Sequence, residues 1–250
     1  MPEHSDRPEG AALPLPLVVL FDLDNTLFDH SYSARRGLAV LRRSHPSLRR
    51  RTLTDIADEY QRLLDATHVH VMSGKETVQN ARTLRIQQLI ASSGARVPLE
   101  EAEVLASEYR RIYQEHRRAI PGSAALLRAV HQRAKVGIVT NNLVAEQEEK
   151  LRATGLMGSI DHLIISESAG FLKPDPRIFR LALDQAGCDP SEALMVGDSW
   201  TSDVRGALSA GIAPVWYNPR GLAPPEAIEV PVISSYRPLR AALRILFPRP

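Results

Sequence analysis

Asp22 and Asp24 stand two residues apart in the stretch LVVLFDLDNTLFDH (Leu17–His30), where an apolar run gives out. On extended backbone, residues two apart face the same way, so both carboxylates can reach one ligand. The first, held at the end of the run, is placed to attack as a nucleophile. The second, nearer the loop, is placed to carry a proton. Comparable runs end in further reactive groups. KVGIVT closes on Thr140 with Asn141 and Asn142 beyond it, GFLKPDP supplies Lys173, and GDSWTSD supplies Asp198 and Asp203. Asp, Asn, Thr and Gly favour turns in any case, which explains one such ending well and four in series badly.

Gathering Asp22, Asp24, Asp198 and Asp203 in one cleft carries an electrostatic penalty. Two like charges about 4 Å apart repel by about 4 kcal/mol at an effective dielectric of about 20. A divalent cation removes that penalty, and an all-oxygen ligand set suits Mg²⁺. Lys173 adds a positive charge. Carboxylates, Mg²⁺, a lysine and hydroxyl or amide donors together form a receptor for a phosphoryl group. In such a receptor Asp22 attacks phosphorus in line, while Asp24 protonates the leaving oxygen and then activates water.

The elements that position these groups are short and buried. LVVLFD, KVGIVTNN, DHLIISES and ALMVGDS, followed by APVWYN and VPVISS, read as strands without alternation, as a parallel sheet covered on both faces requires. Helical patterns separate them: GSAALLRAVHQR, VAEQEEKLRATG, PRIFRLALDQAG and TSDVRGALSAG. Strand–helix alternation implies an α/β fold, a Rossmann-like doubly wound parallel sheet, whose ligands bind outside the carboxyl ends of the strands. Residues 1–14 are polar and aperiodic and are expected to be a disordered tail. Residues 15–30 and 119–250 are assigned to the catalytic core, and residues 31–118, with helical periodicity and almost no strand signal, to an inserted all-helical cap. Within the cap, Thr52 or Thr54 is a candidate N-cap. Ile56, Tyr60, Leu63 or Leu64, Val78, Leu84, Ile86, Leu89, Val104, Leu105, Tyr109 and Ile112 are expected to be buried.

Bulk composition narrows the function classes. The 250 residues are 44% hydrophobic and 24% charged, and 31 Lys and Arg nearly balance 29 Asp and Glu. That balance points to neither nucleic acid nor membrane. The single cysteine, Cys188, forms no internal disulfide and no multi-thiolate site. The first apolar run lacks a basic start and is interrupted by prolines, unlike a signal peptide, and no run is long enough to span a bilayer. We expect a cytoplasmic monomer or homodimer acting on a small phosphomonoester.

The motifs FDLDNTLFD, IVTNN, GFLKPDP and VGDSWTSD, in this order, resemble those of the haloacid dehalogenase-like (HAD) hydrolase superfamily. The likeness runs from about residue 17 to residue 219 and extends to a helical type 1 cap after the first motif. It implies a Mg²⁺-dependent phosphatase in which Asp22 is nucleophile and metal ligand. Asp24 becomes the general acid/base and lends its main-chain carbonyl to the metal. Thr140, with Asn141 close by, binds phosphate, and Lys173 bridges nucleophile and phosphate. Asp198 is a metal ligand, supported by Asp203 through water or by orienting Lys173. The likeness of ISESAGFLKPDPRIF and VGDSWTSDVRGALSAG to nucleotidases and N-acylneuraminate phosphatases further implies a nucleotide or sugar phosphate as substrate.

Alternatives are a phosphomutase, a 2-haloacid dehalogenase of the same superfamily, and a non-catalytic binding protein on the same fold. A dehalogenase needs neither Asp24 nor Mg²⁺, and a binding protein predicts a lost catalytic residue, whereas every motif residue is present. Outside the motifs, the arginines of RRSHPSLRRR read as a solvated face, as do Arg82 and Arg85, although an arginine there could clamp a substrate anion. His68 and His70 read as surface or substrate-facing residues, Trp200 as packing, and Trp216 and Tyr217 as core.

Overall fold

The computed structural model describes residues 15–248. The expected tail, 1–14, lies outside them. The six apolar runs are six strands: β1 (Val18–Phe21), β2 (Lys135–Thr140), β3 (His162–Ile165), β4 (Ala193–Gly197), β5 (Ala213–Tyr217) and β6 (Val232–Ile233). They form one sheet in the order β3-β2-β1-β4-β5-β6, every neighbouring pair parallel. All four residues of β1 are fully buried, which is why that run shows no alternation. Chain order reverses between β1 and β4, so the topological switch falls beside the ends of these two strands. Phe21 pairs with Ile138 of β2 and with Val196 of β4, which brings Asp22, Thr140 and Asp198 to one rim.

Five α-helices separate β1 from β2, and the first four fall within residues 31–118 or at their edge: α1 (His30–Ser44), α2 (Leu53–Met72), α3 (Val78–Ala91) and α4 (Leu99–Glu115). Thr52 accepts from the Asp55 N–H while Asp55 accepts from the Thr52 N–H, a reciprocal cap at the start of α2. Helix α1 was not distinguishable within the helical block. Its buried face is Ser33, Ala34, Gly37, Leu38 and Leu41, too small and polar for a clear apolar stripe. The smallness serves packing against α4, since a Cβ on Gly37 would lie 2.6 Å from the Tyr109 ring. Two expected core positions are surface residues, Leu84 at 37% and Val104 at 68% exposure. The buried faces run through Ala81, Arg85, Ile86 and Leu89 on α3 and through Ala102, Leu105, Tyr109 and Tyr113 on α4. Leu84 and Val104 each sit one position off those stripes.

The two passages between core and helical block are tied together. Asp29 caps α1 through the Tyr32 N–H and also accepts from the Arg118 guanidinium at 2.6 and 2.9 Å. The remaining helices, α5 (Ser123–His131), α6 (Val144–Thr154), α7 (Ser166–Ala169), α8 (Pro176–Ala186), α9 (Gly206–Ser209) and α10 (Leu239–Leu246), belong to the sheet region. TSDVRGALSAG departs from a plain α-helix. Trp200–Arg205 is a π-helical turn that passes into α9, a widening of the kind found at functional sites. No helix among the described residues is long and apolar enough to cross a membrane.

Candidate active site

The sheet ladder continues one residue past β1: the Asp22 N–H donates to the Val196 carbonyl at 2.9 Å. Asp22 is therefore fixed at the rim and buried. Leu23 to Phe28 fold into a tight turn in which Asn25 adopts a left-handed φ of 61°. The Asn25 side chain accepts from the Ser31 N–H and hydroxyl. This turn places Thr26 between two carboxylates. Its hydroxyl accepts from the Asp198 N–H at 3.0 Å and lies 3.3 Å from Asp22 Oδ2 and 3.4 Å from Asp198 Oδ1.

Lys173 Nζ donates to Asp22 Oδ1 at 2.7 Å and to Asp203 Oδ1 at 2.6 Å, all three side chains being buried. Asp203 also accepts from the Ser199 N–H through Oδ2 at 2.9 Å, so both of its oxygens are engaged. The π-helical turn brings Asp203 inward, and Gly197 leaves the room it occupies, since a Cβ there would lie 2.2 Å from its carboxylate. Asn141 pairs reciprocally with the Lys173 main chain, at 2.9 and 2.8 Å. Its amide holds the lysine segment in place. Thr140 is buried with its hydroxyl accepting from Gln147 at 2.6 Å.

Asp22, Asp198 and Asp203 each present an oxygen within 4.8 Å of the others. Three carboxylates against one ammonium leave two negative charges. Burial, only partly offset by Lys173 and reinforced by Asp203, pushes the Asp22 carboxyl up to about 7. Burial and then the Asp22 charge push Asp198 well above the usual carboxylate range. Burial alone would lower Lys173, but Asp203 and Asp22 hold it above the ordinary lysine value. Such a pocket fits a small, hard divalent cation of the Mg²⁺ type. Asp22 and Asp198 retain oxygens to offer, while Asp203 stands behind them holding Lys173.

Asp24, expected to offer the metal its main-chain carbonyl, turns its carboxylate away from the other three acids. It accepts from Lys150 Nζ at 2.7 and 2.6 Å and from Gln147 at 3.2 Å. Burial raises its pKa, but the charges of Lys150 and His30 outweigh burial and leave it below the ordinary value. Gln147 and Lys150 were missed in the sequence. They lie three residues apart on one face of α6, the helix that follows the Thr140 strand end, and that placement was the available signal. Beside them Glu146 binds Arg82 of α3 and Arg110 of α4, both at 2.6 Å. Helix α6 thus joins the cap to the core.

Between cap and core lies a cavity of about 390 Å³ that runs from Asp24 past Tyr60, His68 and Arg85. The arginine pair read as a solvated face is neither: Arg85 is buried and Arg82 is bound to Glu146. His68 lines the cavity and His70 is exposed. Trp200 packs edge-on against Trp216, whose indole N–H donates to the Asp198 carbonyl at 2.9 Å.

The family described as haloacid dehalogenase-like hydrolase matches the chain over residues 17–211. The pyrimidine 5'-nucleotidase YjjG of Escherichia coli is 46% identical over 110 residues, which are 44% of this chain and 49% of that protein. That match therefore spans about half of the relative's length. Human N-acylneuraminate-9-phosphatase is 28% identical over 90% of this chain and 93% of its own. Among solved structures, the HAD-hydrolase YfnB of Bacillus subtilis, bound to magnesium, superposes with a TM-score of 0.74 at 25% identity, covering 93% of this chain and all of that one.

Proposed function

This chain belongs to the haloacid dehalogenase-like hydrolase family, and from that premise we propose that it is a Mg²⁺-dependent phosphatase. On this reading it cleaves a small phosphomonoester, such as a nucleotide or sugar phosphate, through an aspartyl-phosphate. The observation that carries the reading is the pairing of Asp22 with Lys173 at 2.7 Å beside a separate, differently charged carboxylate, Asp24. Substitution at carbon needs no second carboxylate, so Asp24 favours phosphorus.

In the first half-reaction an Asp22 oxygen attacks phosphorus and the bond to the ester oxygen breaks, its electron pair leaving with that oxygen. Asp24 gives the leaving oxygen a proton. In the second, Asp24 takes a proton from water, whose oxygen attacks phosphorus, and the bond to Asp22 breaks to release inorganic phosphate. The two steps ask opposite protonation states of Asp24. Lys150 lowers its pKa and favours the carboxylate, and an arriving phosphate dianion pushes that pKa up. Lys173 steadies Asp22 and answers charge on the transferring group. A Mg²⁺ bound by Asp22 and Asp198 would supply the remaining neutralisation. The cap covers the cavity and excludes bulk water.

Turnover of p-nitrophenyl phosphate tests this. Asp22→Asn is expected to cut kcat by at least about a thousandfold in a folded protein, and chelation of Mg²⁺ to abolish activity reversibly. Wild-type turnover in either case overturns the reading.

A further inference from the structure

Arg85 carries a charge that no carboxylate among the described residues answers. It lies midway along α3, is 7% exposed, and lines the cavity whose core wall is Asp24. The other cations of that wall are paired: Lys150 with Asp24, and Arg82 and Arg110 with Glu146. Arg85 makes no such ion pair among the described residues, and its buried Nε has no hydrogen-bond partner. Tyr60 lies below it, with the guanidinium carbon 5.9 Å from the ring centroid. Burial first, and then the Arg85 charge itself, lower the pKa of His68 below its ordinary value. Neither Tyr60 nor His68 supplies the guanidinium with an anion.

An unpaired buried guanidinium is unfavourable in a folded protein and persists where something else supplies the anion. Its planar fork of donors suits a carboxylate or phosphate, which it can hold with two parallel bonds. A neutral carbonyl would leave the charge unanswered. We propose that Arg85 is a specificity-determining residue that binds a second oxyanion of the substrate, a carboxylate or a second phosphate, while the scissile phosphate occupies the core site. The proposal rests on the phosphatase reading and narrows it to phosphomonoesters that carry another anionic group. The cavity has the volume of a small-metabolite site.

The test is steady-state kinetics of the full chain with Mg²⁺ on matched substrates. 3-Phosphoglycerate carries a carboxylate, propane-1,3-diol bisphosphate a second phosphate, and glycerol 3-phosphate neither. Wild type is expected to favour one of the first two over glycerol 3-phosphate by at least about tenfold in kcat/KM, and the favoured arm identifies the oxyanion. In Arg85→Gln that ratio should fall toward one, chiefly through KM, and Arg85→Lys should restore part of it. A wild-type ratio near one, a preference for uridine 5'-monophosphate over both doubly anionic probes, or a ratio unchanged by Arg85→Gln overturns the proposal. Failure of the wild type to hydrolyse any phosphomonoester, p-nitrophenyl phosphate included, overturns the phosphatase reading instead. A second measurement is independent of turnover. Ligand-free Arg85→Met should melt at or above the wild-type temperature, because it removes an unanswered charge. A marked fall would assign Arg85 to packing and overturn the proposal.

Discussion

Gly197 and Asp203 set up a sharp test of how the site is built. A Cβ added to Gly197 would lie 2.2 Å from Asp203 Cγ and Oδ2 and 2.4 Å from its Cβ. Favourable carbon contacts begin at about 3.5 Å, so Gly197→Ala must displace Asp203 by about 1 Å or more. Asp203 accepts from Lys173 at 2.6 Å and from the Ser199 N–H at 2.9 Å. A shift of that size takes both past hydrogen-bonding distance. Breaking one arm of a buried ion pair costs about 3–5 kcal/mol, and alanine in place of glycine in a strand recovers about 0.5–1 kcal/mol. The net expectation is a loss of about 2–4.5 kcal/mol. The same movement frees Lys173 on the side away from Asp22, and a misplacement of about 1 Å costs about a hundredfold in rate. Urea unfolding should show a lower midpoint at unchanged slope, and kcat on p-nitrophenyl phosphate should fall by about two orders of magnitude. Gly158→Ala, where a Cβ meets nothing within 4 Å, should stay near wild type in both assays. Wild-type stability and turnover in Gly197→Ala would show that Asp203 steps aside without loss, and would refute the idea that it is wedged against Lys173.

Three further outcomes are expected. Lys150→Met removes the two shortest bonds to Asp24, so burial wins and the Asp24 pKa rises. The acid limb of the kcat profile should move to higher pH, and an unmoved limb would show that Lys150 does not set Asp24. The Asp22 carboxyl sits at about 7 when folded against an ordinary 3.8. The folded state therefore binds more protons through that interval, and this group's contribution to stability falls as pH rises across it. Because Mg²⁺ competes with that proton, the stability gained on adding Mg²⁺ over chelator should be larger at pH 8 than at pH 6, and an equal gain would count against Asp22 as a ligand. Glu146→Gln strips Arg82 and Arg110 of their shared partner, and should raise KM by about tenfold with a smaller change in kcat. An unchanged KM would show that the cap is held by other contacts.

The sheet was legible because a parallel strand buried on both faces has to be apolar throughout, and each run ended where the rim begins. The placement of Asp22, Thr140 and Asp198 at one rim was legible for the same reason, since each stands at or directly after the end of a buried strand, whereas Lys173 reaches the rim only after α7 and Asp203 only within the π-helical turn. Helix α1 was not, because the face it buries against Tyr109 is made of Ser33, Ala34 and Gly37, and close packing erased the apolar stripe. The π-helical turn at Trp200–Arg205 was hidden for a related reason. Its shape is set by Asp203 turning in toward Lys173 and the Ser199 N–H, partners that a helical pattern cannot name.

Helix α6 was the hardest to read. VAEQEEKLRAT looks solvated all round, yet Gln147 is fully buried and Lys150 nearly so. A polar side chain is buried only where something answers it, and here the answer is Asp24, more than 120 positions away in sequence. The neighbouring Glu146 is answered from the opposite direction, by Arg82 and Arg110 of the cap. One short helix thus holds the Asp24 carboxylate with one face and grips the cap with another. If the cap opens it must pull on Glu146, and the next turn of the same helix holds Lys150 against Asp24, so on the phosphatase reading closure and the proton transfer proposed for Asp24 would be linked. Glu146→Gln and Lys150→Met should therefore fail to be additive in kcat/KM when combined, with a coupling of about 0.5 kcal/mol or more. Strict additivity would mean that α6 serves its two faces independently.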